Sequence, residues 1–241
     1  MTGMLASVTS VSEAKIVLDT GVDIIDIKNP HEGALGALET NAVKDIVQFV
    51  NGRILTSATI GDVDSNDAEL LNYINDMANT GVDYVKVGLF SESASNYFIQ
   101  TIAQAAKKRI KLVIVLFAEN HQGIESIKPL IKSGISGIML DTKEKQSKNL
   151  CSLLSGYELK EFIAIAKEYN LLTGLAGSLK YEDIKLLLKL NSDYLGFRGA
   201  LCSQSNRTNK IDAEKVGLIR NAIPFIEFNE LENKQYKEAI I

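Results

Sequence analysis

Short apolar runs recur along the 241-residue chain, each followed by a polar turn and then by a segment whose apolar residues return at helical spacing. Eight such runs, at residues 4–8, 23–28, 54–60, 84–89, 111–117, 137–141, 172–176 and 194–198, predict strands. Helical spacing predicts helices over residues 11–20, 68–80, 95–108, 124–133, 159–169, 184–190 and 213–222, with Ser10 and Asp183 as N-caps. Gly21-Val-Asp, Gly81-Val-Asp and Gly134-Ile-Ser repeat one device: glycine ends a helix in a left-handed conformation and the chain enters a strand. A βα period of about 30 residues, with neither a linker nor a charge block before a polar tail from about Asn229, predicts one α/β domain, a single (β/α)8 TIM barrel. An open doubly wound sheet is the alternative, but its glycine-rich first turn is replaced here by Ser7-Val-Thr-Ser-Val.

The alternation also sorts charge. In Asp23-Ile-Ile-Asp-Ile-Lys28 it puts Asp26 and Lys28 on one face and Ile25 and Ile27 on the other. Apolar residues belong against the helices, so the charged pair points into the barrel. Tyr84-Val-Lys-Val-Gly-Leu likewise sends Lys86 inward, while Asp141 closes the sixth strand and Arg198 the eighth, at the end where barrel active sites lie. Hidden charges are costly unless they are used or paired. Repulsion and desolvation would bring one lysine from about 10.4 towards about 7–8, giving a neutral amine able to attack a carbonyl. A structural Asp26–Lys28 ion pair is the alternative reading; Lys86 weighs against it, because such a pair needs no third charge. Ala176-Gly-Ser-Leu and Gly196-Phe-Arg-Gly-Ala form small-residue turns where barrels bind phosphate, making Gly177, Ser178, Arg198 and Gly199 candidate phosphate ligands.

Composition narrows the ligand class. A net charge of −4 argues against nucleic acid or an anionic membrane as partner, and the hydrophobic fraction of 46% suffices for a large core. Two cysteines without metal-ligand spacing, an N-terminus without a signal pattern and no long apolar run fit an unprocessed cytoplasmic protein. No metal-ligand cluster, Walker loop or nucleophile elbow appears, so the chemistry is expected to need neither metal nor cofactor. Whether the chain forms a homo-oligomer is left open.

With these residues aligned, the chain resembles the (5-formylfuran-3-yl)methyl phosphate synthase family, also named 4-(hydroxymethyl)-2-furancarboxaldehyde-phosphate synthase. The words that carry the resemblance are Asp23-Ile-Ile-Asp-Ile-Lys-Asn-Pro, Glu32-Gly-Ala-Leu-Gly-Ala, Ser57-Ala-Thr-Ile-Gly-Asp, Asp83-Tyr-Val-Lys-Val-Gly-Leu, Met139-Leu-Asp-Thr, Leu175-Ala-Gly-Ser-Leu-Lys and Arg198-Gly-Ala. The resemblance implies a (β/α)8 barrel that joins two molecules of glyceraldehyde 3-phosphate into a phosphorylated furan for methanofuran-type one-carbon carriers. It also implies that Lys28 forms the Schiff base, that Lys86 and Lys145 are functional lysines, and that Asp26 and Asp141 are their acidic partners. Lys145 rests on the resemblance alone; by itself it reads as a solvated loop lysine. Thr59 stands where the family usually carries alanine, and the segment from Phe117 to Gly123 is shortened. Two other readings are another Schiff-base enzyme acting on phosphorylated sugars and a non-catalytic barrel that binds a phosphometabolite.

Overall fold

A strand buried on both faces must divide its side chains between two cores, and β1 (Gly3–Val8), buried at every residue, shows the division. Met4, Ala6 and Val8 join the large core beneath the helices, whereas Leu5 joins a small interior cluster with Ile24, Val115, Phe117, Met139 and Ala176. The structure is a computed structural model that describes residues 1–120, 128–144 and 148–224. Its further strands are β2 (Ile24–Ile27), β3 (Leu55–Thr59), β4 (Tyr84–Leu89), β5 (Leu112–Phe117), β6 (Gly137–Asp141), β7 (Leu172–Leu175) and β8 (Tyr194–Phe197). Each pairs in parallel with its neighbours in sequence and β8 returns to β1, closing the eight-stranded barrel that the pattern predicts. Lys28 and Arg198, read as last strand residues, lie just past the ends of β2 and β8.

The helices between the strands are α1 (Val11–Asp19), α2 (Thr40–Val50), α3 (Leu70–Ala78), α4 (Asn96–Lys107), α5 (Lys128–Ile131), α6 (Leu150–Leu153), α7 (Gly156–Glu168), α8 (Tyr181–Leu187) and α9 (Ala213–Ala222). Among the described residues none is long and apolar enough to cross a membrane. Helix α2 is missing from the pattern reading although Val43, Ile46, Val47 and Val50 return at helical spacing; no side chain caps its start. Ser10 caps α1 as expected, accepting from Glu13 N at 3.3 Å. Asp183 does not cap α8: the helix starts earlier, after Lys180, and the Asp183 carboxylate accepts from Lys180 N at 2.8 Å. An acid in the first turn meets the exposed N–H groups there as well as a cap does. The expected helix at 124–133 is described only from Lys128 on, and the tail from Asn229 lies outside the described residues.

Gly21, Gly81 and Gly134 take φ values of 81°, 89° and 87°, and Asn191 plays the same part before β8 at 57°. The residue two positions on does the second half of the work. Asp23 Oδ2 accepts from Met4 N at 2.6 Å, Asp83 Oδ2 from Thr56 N at 2.7 Å, and Asp193 Oδ2 from Thr173 N at 2.7 Å. At the entrance to β2, β4 and β8, an aspartate therefore satisfies an amide that the preceding strand leaves unpaired at the closed end of the barrel.

Candidate active site

Register builds the centre of the site. Parallel pairing sets Ser7 on β1 and Ser57 on β3 directly opposite Asp26 on β2. Asp26 is fully buried, and both hydroxyls donate to it, Ser7 Oγ to Oδ2 at 2.9 Å and Ser57 Oγ to Oδ1 at 2.7 Å. From β4, Lys86 Nζ reaches the same Oδ1 at 2.9 Å. Burial works against the carboxylate charge, but Lys86 and then Lys28, with the hydrogen bonds from Lys86 and Ser57, more than offset it and hold the Asp26 carboxyl below its ordinary value. The ion pair is thus Asp26–Lys86 rather than Asp26–Lys28, with Lys28 near enough to act on the same carboxylate charge.

Lys28 follows β2 directly and is 7% exposed, against 3% for Lys86, so both amines are largely withdrawn from water. Above Lys86 the next inward residue is Gly88, and a Cβ there would come within 2.8 Å of Leu35 Cδ1. The space a side chain would fill is taken by Leu35 and Phe90, the latter against Phe117 with ring centroids 4.7 Å apart. Leu35 comes from the loop after β2, which folds over the mouth. Asp62, beyond β3, accepts from Ala34 N and Leu35 N at 2.9 and 2.7 Å, and Thr59 Oγ1 donates to Gly36 O at 3.0 Å. Thr59, the departure from the family's alanine, is therefore a tie that holds this roof down.

Asp141 ends β6, is 3% exposed and accepts from Thr142 N at 2.7 Å. Its backbone neighbour in the barrel is Phe117. The Thr142 hydroxyl is buried with no hydrogen-bond partner among the described residues. Beside it, Gly177 takes a φ of 107°, and a Cβ there would lie 2.7 Å from Thr142 Cγ2, so only glycine lets the turn after β7 pack against the end of β6. Ser178 follows at a φ of 51°, and Gly199 opens the short helical turn after β8. Lys145 lies outside the described residues.

Arg198 is corrected by its surroundings. Its Nε donates to Arg207 O (2.8 Å), Nη1 to Ser7 O (3.1 Å) and Glu13 Oε2 (2.6 Å), and Nη2 to Glu13 Oε1 (3.2 Å) and Asn209 O (2.9 Å). A guanidinium has five N–H donors, so none remains for a phosphate. Burial opposes the Glu13 charge, but Arg198 and the hydrogen bonds from Thr9 hold that carboxyl below its ordinary value. Arg198 is thus an anchor, locking the loop after β8 to β1 and α1. Ser7, Ser57, Glu13 and Arg207 escaped the sequence reading. The alternation that placed Asp26 inward also places Ser7 and Ser57 inward, whereas Arg207 sits in a loop without periodicity.

A closed eight-stranded parallel barrel that buries Lys86 against Asp26, with Lys28 and Asp141 at the carboxyl ends of their strands, has the architecture of a (β/α)8-barrel enzyme. Residues 4–220 match the sequence model of the 4-HFC-P synthase family, and the chain belongs to that family. The (5-formylfuran-3-yl)methyl phosphate synthase of Methanosarcina mazei is 36% identical over 217 residues, covering 86% of this chain and 93% of the relative. That of Methanocaldococcus jannaschii is 35% identical over 227 residues, covering 88% and 96%. Among solved structures, 3-hexulose-6-phosphate synthase superposes with a TM-score of 0.61 at 18% identity, covering 92% of this chain and all of that one (100%). Phosphoribosyl anthranilate isomerase from Thermus thermophilus gives 0.64 at 13%, covering 92% and 98%. These two likenesses are of fold.

Proposed function

We propose that the protein is a cytoplasmic lyase that condenses two molecules of glyceraldehyde 3-phosphate into 4-(hydroxymethyl)-2-furancarboxaldehyde phosphate, for a methanofuran-type carrier, through a Schiff base on Lys28. The observation that carries this reading is the Lys28–Asp26–Lys86 cluster, one buried anion that pairs with Lys86 and feels the charge of Lys28, in a chain of the 4-HFC-P synthase family. Such a cluster supplies what the reaction demands. An amine next to a second cation loses its proton more readily and attacks a carbonyl, and the resulting iminium is an electron sink for carbon–carbon bond formation.

In this mechanism one triose phosphate isomerises to its ketone form and joins Lys28 as an iminium, which gives up a proton to become the enamine. Lys86, held by Asp26, and Asp141, across the barrel mouth, move the protons. The enamine carbon adds to the aldehyde of the second triose. Loss of phosphate and water then closes and aromatises the ring, releasing Lys28. The roof made by Leu35, Phe90 and Phe117 keeps bulk water from the iminium. Backbone N–H groups of the turns at Gly177, Ser178 and Gly199 orient a phosphate, and positioning of both trioses turns a bimolecular encounter into a directed one.

The test is incubation with glyceraldehyde 3-phosphate alone, followed by absorbance of the conjugated furan aldehyde, and borohydride trapping with peptide mapping. The expected result is furan formation and a triose label on Lys28, with turnover lost in Lys28→Arg and Lys86→Arg. Absence of both product and label in the wild-type protein would overturn the reading.

A further inference from the structure

With Arg198 fully committed, the cation for a phosphate has to come from elsewhere, and the loop after β8 supplies one. That loop is firmly built. Cys202 and Ile211 form an antiparallel bridge, Asp212 N donates to Leu201 O at 2.8 Å, and Ile211 N donates to Glu13 Oε1 at 3.2 Å. Arg198 Nε holds the carbonyl of Arg207 itself. Arg207 therefore extends from a fixed backbone.

Its side chain starts beside Gly199, an ideal Cβ on which would lie 3.9 Å from Arg207 Cβ, and ends at the loop after β2, where Nη2 donates to Gly33 O at 3.0 Å. Asp141 on β6 and Asp62 beyond β3 both act on its charge. A guanidinium that touches the second sector of the barrel and is felt by carboxylates of the third and sixth lies over the mouth, not on the outer wall. The bond to Gly33 is its one hydrogen bond to a described residue, so the other N–H groups of the fork are uncommitted among them. Partial burial, and then the neighbouring Arg198 charge, pull its pKa below the ordinary value, against Asp141 and Asp62.

We infer that Arg207 is a substrate-phosphate ligand that sets specificity for phosphorylated trioses, reaching from the β8 loop to the loop after β2. The guanidinium fork matches phosphate oxygens in a bidentate manner. Its Cβ stands beside Gly199, so fork and backbone turn can grip one phosphate from two sides. The inference rests on the proposed reaction for its substrate, but its binding step does not depend on that reaction.

The test uses the full chain and the variants Arg207→Met and Arg207→Lys. Inorganic phosphate binding is measured by calorimetry, and KM and kcat by furan formation from glyceraldehyde 3-phosphate. For Arg207→Met the phosphate Kd and the KM are expected to rise about 10- to 100-fold, as fits loss of charge-assisted hydrogen bonds, with kcat changed far less. Arg207→Lys, which keeps the charge and stem, is expected to fall between and carries the test alone if the methionine variant does not fold. Unchanged phosphate Kd and KM in a folded variant would overturn the inference. So would a fall in kcat with unaltered phosphate Kd, which would make Arg207 only a strut between two loops. If the wild-type protein makes no furan, the proposed reaction fails, while the phosphate Kd of wild type against variant still decides the role of Arg207.

Discussion

Replacing Asp26 by asparagine keeps the shape of the side chain and removes the anion that Lys86 pairs with and Lys28 acts on. One serine hydroxyl still finds an acceptor in the amide oxygen and the other must turn to accept from the amide nitrogen, so steric disruption is small and the perturbation is chiefly electrostatic. Breaking a buried ion pair from one side costs about 3–5 kcal/mol, because the remaining charge stays buried without compensation. At this chain length each kcal/mol moves the melting point by roughly 2–4 °C, so the variant is expected to melt about 6–20 °C lower at pH 7. The sign of the pH dependence separates charge from packing. In the variant the lysine charges near position 26 lose their counter-charge, so the folded chain binds protons less readily than the unfolded one. Stability must then rise with pH between about 7 and 10, and the deficit relative to wild type must shrink. In the wild-type protein the Asp26 carboxyl is held below its ordinary 3.8, so its contribution is present above that value and is lost as pH falls through the lower folded one. Urea denaturation followed by circular dichroism at pH 7 and 9.5 reads the difference. A deficit of equal size at both pH values would refute the electrostatic account of the cluster, as would a variant as stable as wild type at pH 7.

Three further outcomes are expected. Arg198→Lys keeps the charge but cannot serve five acceptors, so it is expected to lose about 2–4 kcal/mol in denaturant melts; because Glu13 is held below its ordinary 4.5, the gap to wild type should narrow as pH falls through its folded value. Gly177→Ala forces a Cβ against Thr142 at positive φ, and is expected to cost about 1–3 kcal/mol and to raise KM by moving the turn after β7. Thr142→Val removes a buried hydroxyl that has no partner among the described residues, and thermal melts should show a variant at least as stable as wild type, within about 1 kcal/mol above it.

The period-two alternation was enough to place Asp26 and Lys86 inside the barrel, because parallel strands buried on both faces leave the apolar residues to the helix side and only one direction for a charge. The partners were harder to read. Asp26 meets Lys86 60 residues away across β3, and Arg198 meets Glu13 185 residues away where β8 closes on β1. Arg198 shows how position misleads: it has the parity and the strand end of a phosphate ligand, yet an acid on α1, which no spacing links to it, claims its fork. Arg207 carries no local signal at all, being one arginine in a polar loop whose shape is set by the Arg198 anchor and the Cys202–Ile211 bridge. Helix α2 was legible but missed: Val43, Ile46, Val47 and Val50 return at helical spacing.

Asp23 and Asp26, three residues apart, serve different purposes at the entrance and in the interior of the barrel. At the closed end Asp23, Asp83 and Asp193 each take a backbone amide of the preceding strand, and Asp23 adds Arg220 Nη1 at 2.7 Å; these bonds fix strand entry and leave no group to react. In the interior Asp26 takes a lysine amine and two hydroxyls, all side-chain donors able to shift or to give up a proton. Asp23 thus builds the frame, bound by an amide and a guanidinium, whereas Asp26 is bound by an amine and two hydroxyls. The difference follows from strand position: the inward residues further along β1, β3 and β4 are Ser7, Ser57 and Lys86, so a carboxylate one pleat repeat above Ile24 meets side-chain donors.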